Sequence, residues 1–257
     1  MSGIGLSERL KENYEEYYEE GDSRWRWLSA VGKADVIVSL CADLPRRSVL
    51  EIGAGDGSIL RRLSELSFSD ALHALEISAS GVAAIESAGI PRLVECRLFD
   101  GYRIPYEDSR FDLAILSHVL EHVEHPRQLL YEASRVARHV FVEVPLEDTL
   151  RMPRDFVFDP VGHINFYSRK SIRRLAQSCD LRVVREKVTT PAKGAYVYRS
   201  GGVKGRLAYH VKEALLRLHP GLATSLSTYH GALVCERAPR RAATPEGRVA
   251  REYSRAS

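Results

Sequence analysis

The chain has 257 residues, 44% of them hydrophobic, with 37 Lys or Arg against 34 Asp or Glu and a formal net charge of +3. That apolar fraction and near-balance of charge exclude a disordered, collagenous or low-complexity protein. Five arginines against two glutamates in residues 238–257 carry the whole surplus, so the rest of the chain is neutral. Its charge gives no reason to expect a nucleic-acid partner.

Cys41, Cys96, Cys179 and Cys235 lie far apart with no CxxC pair, so free thiols in a reducing cytoplasm are expected. The first 20 residues are acidic and tyrosine-rich and lack the apolar core of a signal peptide. No uncharged apolar run approaches the roughly 20 residues needed to cross a bilayer.

Along the chain, residues 8–20 and Ser23–Ala42 read as two helices, an N-terminal helical flap over 1–45 that ends at Leu44-Pro45. From Ser48, short apolar strands alternate with amphipathic helices: strands Val49–Ile52, Ala71–Ile77, Leu93–Leu98, Leu113–Leu116 and Val140–Val144, helices near 58–66, 79–88 and 127–137. That alternation implies a parallel sheet with right-handed crossovers. Residues 145–167, proline-containing and without a clear period, are expected to form a lid loop. A helix over Ser168–Ser178 with Ser168 as its N-cap follows, then a strand over Leu181–Lys187. An insertion over 191–227 contains a helix at 203–217, and the last strand, Thr228–Cys235, has the alternation of a sheet edge. The sheet domain is thus expected over 46–237, with residues 238–257 a basic, disordered tail.

The stretch from Val49 to Ser58 runs from an apolar strand through Gly53-Ala54-Gly55-Asp56-Gly57 into a helix, which presents backbone amides to a ligand. A nicotinamide fingerprint, GxGxxG, would put its third small residue at Ser58 rather than Gly57. Glu76 ends the second strand, where a carboxylate can accept both ribose hydroxyls. Asp100 follows the third strand and precedes Ile104-Pro105, a place for accepting from an adenine amino group, and Phe111 to Val123 closes the fourth strand. With these four motifs in order, residues 48–190 resemble the class I S-adenosylmethionine-dependent methyltransferases, in particular the branch acting on small molecules, lipids, quinones and sugars.

The resemblance implies an α/β fold: a Rossmann-like, doubly wound, seven-stranded and mostly parallel sheet with an antiparallel last strand and helices on both faces. It implies S-adenosylmethionine as cofactor. The loop Gly53, Ala54, Gly55, Asp56 and Gly57 would pass under its methionine part, with Glu51 holding the amino group. Glu76 and Ile77 would take the ribose, Phe99, Asp100 and Gly101 would frame the adenine, and Ser117 would lie close to the sulfonium. A glycine turn kept only for packing leaves Glu76 and Asp100 unexplained. Methyl transfer from a sulfonium is an in-line displacement, so the protein aligns two partners and removes at most one proton.

His118 and His122 crowd the turn after the fourth strand and are candidate general bases, because imidazole titrates near neutrality. Glu121 and His122 can equally serve to hydrogen-bond that loop in place, and His125, before Pro126, reads as a helix-start surface residue. The segment Gly162 to Ser168 resembles a "His, aromatic, then Ser opening a helix" element of the same branch, which makes His163 a further candidate base. His118, Glu121, His122 and His163 are also similar to the metal-binding set of small-RNA 2′-O-methyltransferases. Here His118 replaces the first acid, and no metal is assigned. Tyr14 and Tyr18, with Tyr17 nearby, are expected to close over the cofactor, Tyr14 and Tyr18 sharing one helical face.

The expected activity is methyl transfer to a small-molecule, sugar, quinone or lipid-linked acceptor, with oxygen the first expectation. A metal-assisted RNA 2′-O-methyltransferase, an NAD-dependent oxidoreductase and a non-catalytic binding protein are the alternatives. A monomer or homodimer without a membrane span or a nucleic-acid partner is expected.

Overall fold

In the computed structural model, residues 22–156 and 162–238 are described. Tyr14, Tyr17, Tyr18, the helix expected over 8–20 and almost all of the tail lie outside them. The elements run α1 (Ser23–Cys41), β1 (Ser48–Ile52), α2 (Ser58–Glu65), β2 (Ala71–Glu76), α3 (Ala79–Ser87), β3 (Leu93–Leu98), β4 (Phe111–Ser117), α4 (Pro126–Val136), β5 (Ala137–Leu146), α5 (Arg169–Gln177), β6 (Leu181–Thr189), α6 (Lys193–Ser200), α7 (Gly202–Leu218), α8 (Pro220–Leu226) and β7 (Tyr229–Arg237).

Side chains alternate across a strand, and here the alternation sorts the core into two layers. Leu50, Ile52, Ala114, Leu116, Val140 and Val142 face α4 and α5 on one side. Val49, Leu113, Ile115 and Phe141 face α1, α2 and α3 on the other, where α1 contributes Ala30, Ala34, Ile37 and Cys41 at helical spacing. Burial on both faces is why these strands read as unbroken apolar runs.

The seven strands lie in the order β3-β2-β1-β4-β5-β7-β6. All pairings are parallel except those of β7, which runs antiparallel to both β5 and β6. The chain reverses its direction of winding between β1 and β4, and ligands of such sheets bind outside the carboxyl ends of the strands at that point. Because β7 runs the other way, its first residues reach the same edge: Pro145 of β5 is registered with His230, and Ser117 of β4 with Glu143.

Three expectations need correction. β7 is an interior strand rather than the sheet edge, because Gly231 to Cys235 are buried between β5 and β6. β5 continues through Pro145 and Leu146, so the loop that follows begins at Glu147. The region 191–227 holds α6 and α8 as well as α7. α6 packs on α1 so closely that a Cβ at Gly32 would stand 2.6 Å from the Cβ of Ala192, and Arg24 lies over the ring of Tyr198, 5.4 Å from its centroid.

Candidate active site

Gly53, Gly55 and Gly57 all take positive φ, and a Cβ at Gly53 would stand 2.8 Å from Val119 Cγ2, so the turn after β1 needs glycine for its backbone and for its space. The amides of Gly53 and Ala54 donate to the carbonyl of Leu75, tying the loop to β2. At the end of β2, Glu76 accepts from Gly55 N at 2.8 Å through Oε2, and from Ser78 N at 3.2 Å and Ser78 Oγ at 3.1 Å through Oε1. Burial raises its pKa while these donors pull it back down. Asp56 is held by Arg26 of α1 at 2.6 Å.

Glu51 is almost fully buried, and its Oε2 has no hydrogen-bond partner. Burial pushes its carboxyl well above the usual range, partly countered by Lys33. An acceptor atom aimed inward without a donor suits a ligand's ammonium group. Phe99 and Ile77 pack against the core from the same edge, and Gly101 is buried at φ +92°. Asp100 turns back on its own loop and accepts from Tyr102 N at 2.8 Å and Arg103 N at 2.6 Å.

Beyond the glycine loop the residues are histidines and glutamates. Ser117 Oγ donates to Glu143 Oε2 at 2.9 Å. His118 follows with φ +59°, a conformation L residues rarely adopt, and its amide donates to the carbonyl of Glu143. His118 Nδ1 lies 3.1 Å from Glu121 Oε1 and its Nε2 lies 3.8 Å from Glu143 Oε2, while the rings of His118 and His230 meet with centroids 4.4 Å apart. The amides of Ile164 and Asn165 donate to the carbonyl of Glu121, and Asn165 Nδ2 reaches the carbonyls of Leu120 and Val123. This lays the segment after Gly162 over the turn and brings the His163 and His122 rings to 4.8 Å. His163 Nδ1 is 2.7 Å from Glu147 Oε2, and His122 Nδ1 is 3.2 Å from the carbonyl of Gly162.

Burial governs the charges here. It lowers the pKa of His122 and lowers those of His118 and His230 further. It raises those of Glu121 and Glu143, the latter to about 7. Burial lowers the pKa of Lys33 of α1, partly countered by the charges of Glu143, Glu121, Glu51 and Asp56.

The structure therefore brings His118, His122 and His163 to one edge of the sheet with Ser117, beside the Glu51-to-Glu76 cradle. Sequence reasoning missed Lys33, Glu143, Glu147 and His230. One signal was available for Glu143: a lone acid within the otherwise apolar Val140–Val144.

A family model described as a methyltransferase domain matches residues 19–186, more than half of the chain. An uncharacterised protein of Methanocaldococcus jannaschii is 27% identical over 125 residues, 49% of this chain and 56% of that relative's length. The fold is similar to that of geranyl diphosphate C-methyltransferase from Streptomyces coelicolor A3(2), solved with Mg2+, geranyl diphosphate and S-adenosyl-L-homocysteine (TM-score 0.64, 12% identity, 91% of this chain and 100% of that one). It is also similar to the cyclase SpnF (TM-score 0.64, 15% identity, 92% and 99%). With the family model spanning the glycine loop, Glu76 and the histidine turn, the chain belongs to the class I S-adenosylmethionine-dependent methyltransferases.

Proposed function

We propose that this protein transfers a methyl group to a hydroxyl oxygen of a small-molecule acceptor, with His163 receiving the hydroxyl proton. The observation that carries this reading is the 2.7 Å contact between His163 Nδ1 and Glu147. With Nδ1–H donating to the carboxylate, Nε2 is left as the proton acceptor, and the carboxylate steadies the imidazolium that forms. Burial keeps neighbouring His122 neutral, so it does not repel the charge His163 takes on.

Glu51, Glu76 and the Gly53–Gly57 loop would hold the cofactor, and Ser117 would border its reactive end. When bound, it supplies an electrophilic methyl group on a sulfonium centre. The chain's own task is then alignment and acceptance of one proton.

A labelled-methyl assay across hydroxyl, amine and carbon acceptors tests the proposal. His163→Gln and Glu147→Gln should each lower kcat by about 10²–10⁴-fold with cofactor affinity little changed. A product methylated at nitrogen or carbon, or full kcat in His163→Gln, overturns it. Within the acceptor classes, an apolar-tailed, lipid-linked molecule is favoured by Val203, Leu207 and Val211, which are exposed along one face of α7. No helix among the described residues is long and apolar enough to cross a membrane, so such an acceptor would be met at a surface. Equal turnover of acceptors with and without the tail would remove that refinement.

A further inference from the structure

We propose that His118, Glu143 and His230 form a binding site for one divalent transition-metal ion at the carboxyl edge of β4 and β5 and the start of β7. Each residue offers one ligand atom, and the three atoms lie within 4.8 Å of one another. Two separations are informative: His230 Nδ1 stands 3.8 Å from Glu143 Oε1, the oxygen without a partner, and His118 Nε2 stands 3.8 Å from Oε2, the oxygen that Ser117 Oγ also reaches. Both are too long for a hydrogen bond. Ligands about 2.1 Å from a shared ion stand roughly 3–3.5 Å apart at octahedral or tetrahedral angles, so closing these gaps by a few tenths of an ångström would seat one.

Independent observations point to the same spot. Glu143 is fully buried, and its Oε1 has no hydrogen-bond partner; the buried Nε2 of His118 has none either. Such atoms are costly to leave unmade unless something occupies the space between them. The surroundings also resemble the outer support of a metal site. Ser117 Oγ donates to the second oxygen of Glu143, and His118 turns its Nε2 toward that carboxylate. The His118 amide is tied to the Glu143 carbonyl, so ligand and ligand are fixed through the backbone as well.

Two imidazoles and one carboxylate favour a zinc-like ion over magnesium, which prefers oxygen ligands and water. The expectation from sequence covers only His118, Glu121, His122 and His163 and assigns no metal because His118 stands where an acid is expected; Glu143 and His230, 87 positions apart, come together only across the β5–β7 pairing. The proposal concerns ion binding alone and does not depend on which acceptor is methylated.

The full chain, stripped with a chelator and dialysed, is titrated with Zn2+ by calorimetry and with Co2+ by absorption. One equivalent of Zn2+ per chain and a Co2+ ligand-field spectrum are expected. Glu143→Gln and His230→Gln should each weaken Zn2+ binding by more than about 100-fold, as for lost support around such sites or worse. Their circular dichroism and S-adenosylmethionine binding serve as the check on folding. His163→Gln locates the ion, because Glu121, His122 and His163 also gather ligand atoms within 4.8 Å. Failure of the stripped wild-type chain to take up Zn2+ overturns the proposal without recourse to any variant. So does loss of uptake in His163→Gln with retention in His230→Gln.

Discussion

The two halves of the sheet's carboxyl edge are built on different terms. On the β1–β2 side, polar groups are matched locally: Glu76 takes three donors, and the loop amides find Leu75. On the β4–β5–β7 side, several ionisable groups are buried beside one another, and Glu121, Glu143 and His118 keep atoms without hydrogen-bond partners. A fully satisfied buried network rigidifies its surroundings, whereas each buried polar atom left without a partner carries a desolvation cost. The first half thus has the order of a preformed cradle, and the second is the half in which the proposed ion would meet the atoms left without partners. Glu51, with its orphaned Oε2, stands at the boundary between them.

The comparison breaks most sharply at Gly53. Gly53→Val places a branched side chain at positive φ and 2.8 Å from Val119, and should weaken S-adenosylmethionine binding by more than about 100-fold, measured by calorimetry, while Zn2+ uptake stays as in the parent. Loss of both together would mean that the halves are not separable. Next in size, Glu76→Ala removes the acceptor of three hydrogen bonds, and a drop of about 10- to 100-fold in cofactor affinity is expected.

A smaller and more diagnostic effect concerns pH. Burial holds the Glu51 carboxyl well above its ordinary pKa, so the empty protein retains a proton that a cofactor ammonium would displace. Binding then releases a proton, and affinity should rise with pH, by at most about tenfold per unit, until the raised pKa is passed. Glu51→Gln should flatten this profile; an unchanged slope would show that another group titrates. The smallest expected change is Arg26→Gln, which removes a mostly buried ion pair to Asp56 and should cost about 1 kcal/mol in urea unfolding.

How much of this was legible follows from chain distance. The cradle is nearly contiguous, Glu51 to Ser58 plus the end of the next strand, so it could be read as two of the four motifs that carry the family resemblance. Strand and helix positions were legible for the same reason, since strands buried on both faces read as short apolar runs and one-sided helices carry the helical period. α6 and α8 were not: α6 buries little beyond Ala195, α8 is seven residues long, and both owe their place to packing on neighbouring helices. β7 was mistaken for an edge because an apolar run of five residues does not say how many strands flank it. Glu143 and His230 are uninformative singly. They become a pair only through the antiparallel register, which no local pattern encodes.

Helix α1 has a consequence of a thermodynamic kind. Arg26 grips the glycine loop through Asp56, Lys33 interacts electrostatically with the glutamates of the other half, Gly32 abuts Ala192 at the start of the α6–α8 region, and just past the helix end Asp43 is bound by Arg185 of β6. One rigid rod thus touches the places where two different ligands are expected. Any ligand that favours one setting of the rod biases the site of the other, and such coupling is reciprocal. The factor by which cofactor changes acceptor affinity must equal the factor by which acceptor changes cofactor affinity, and in Arg26→Gln both should shrink together.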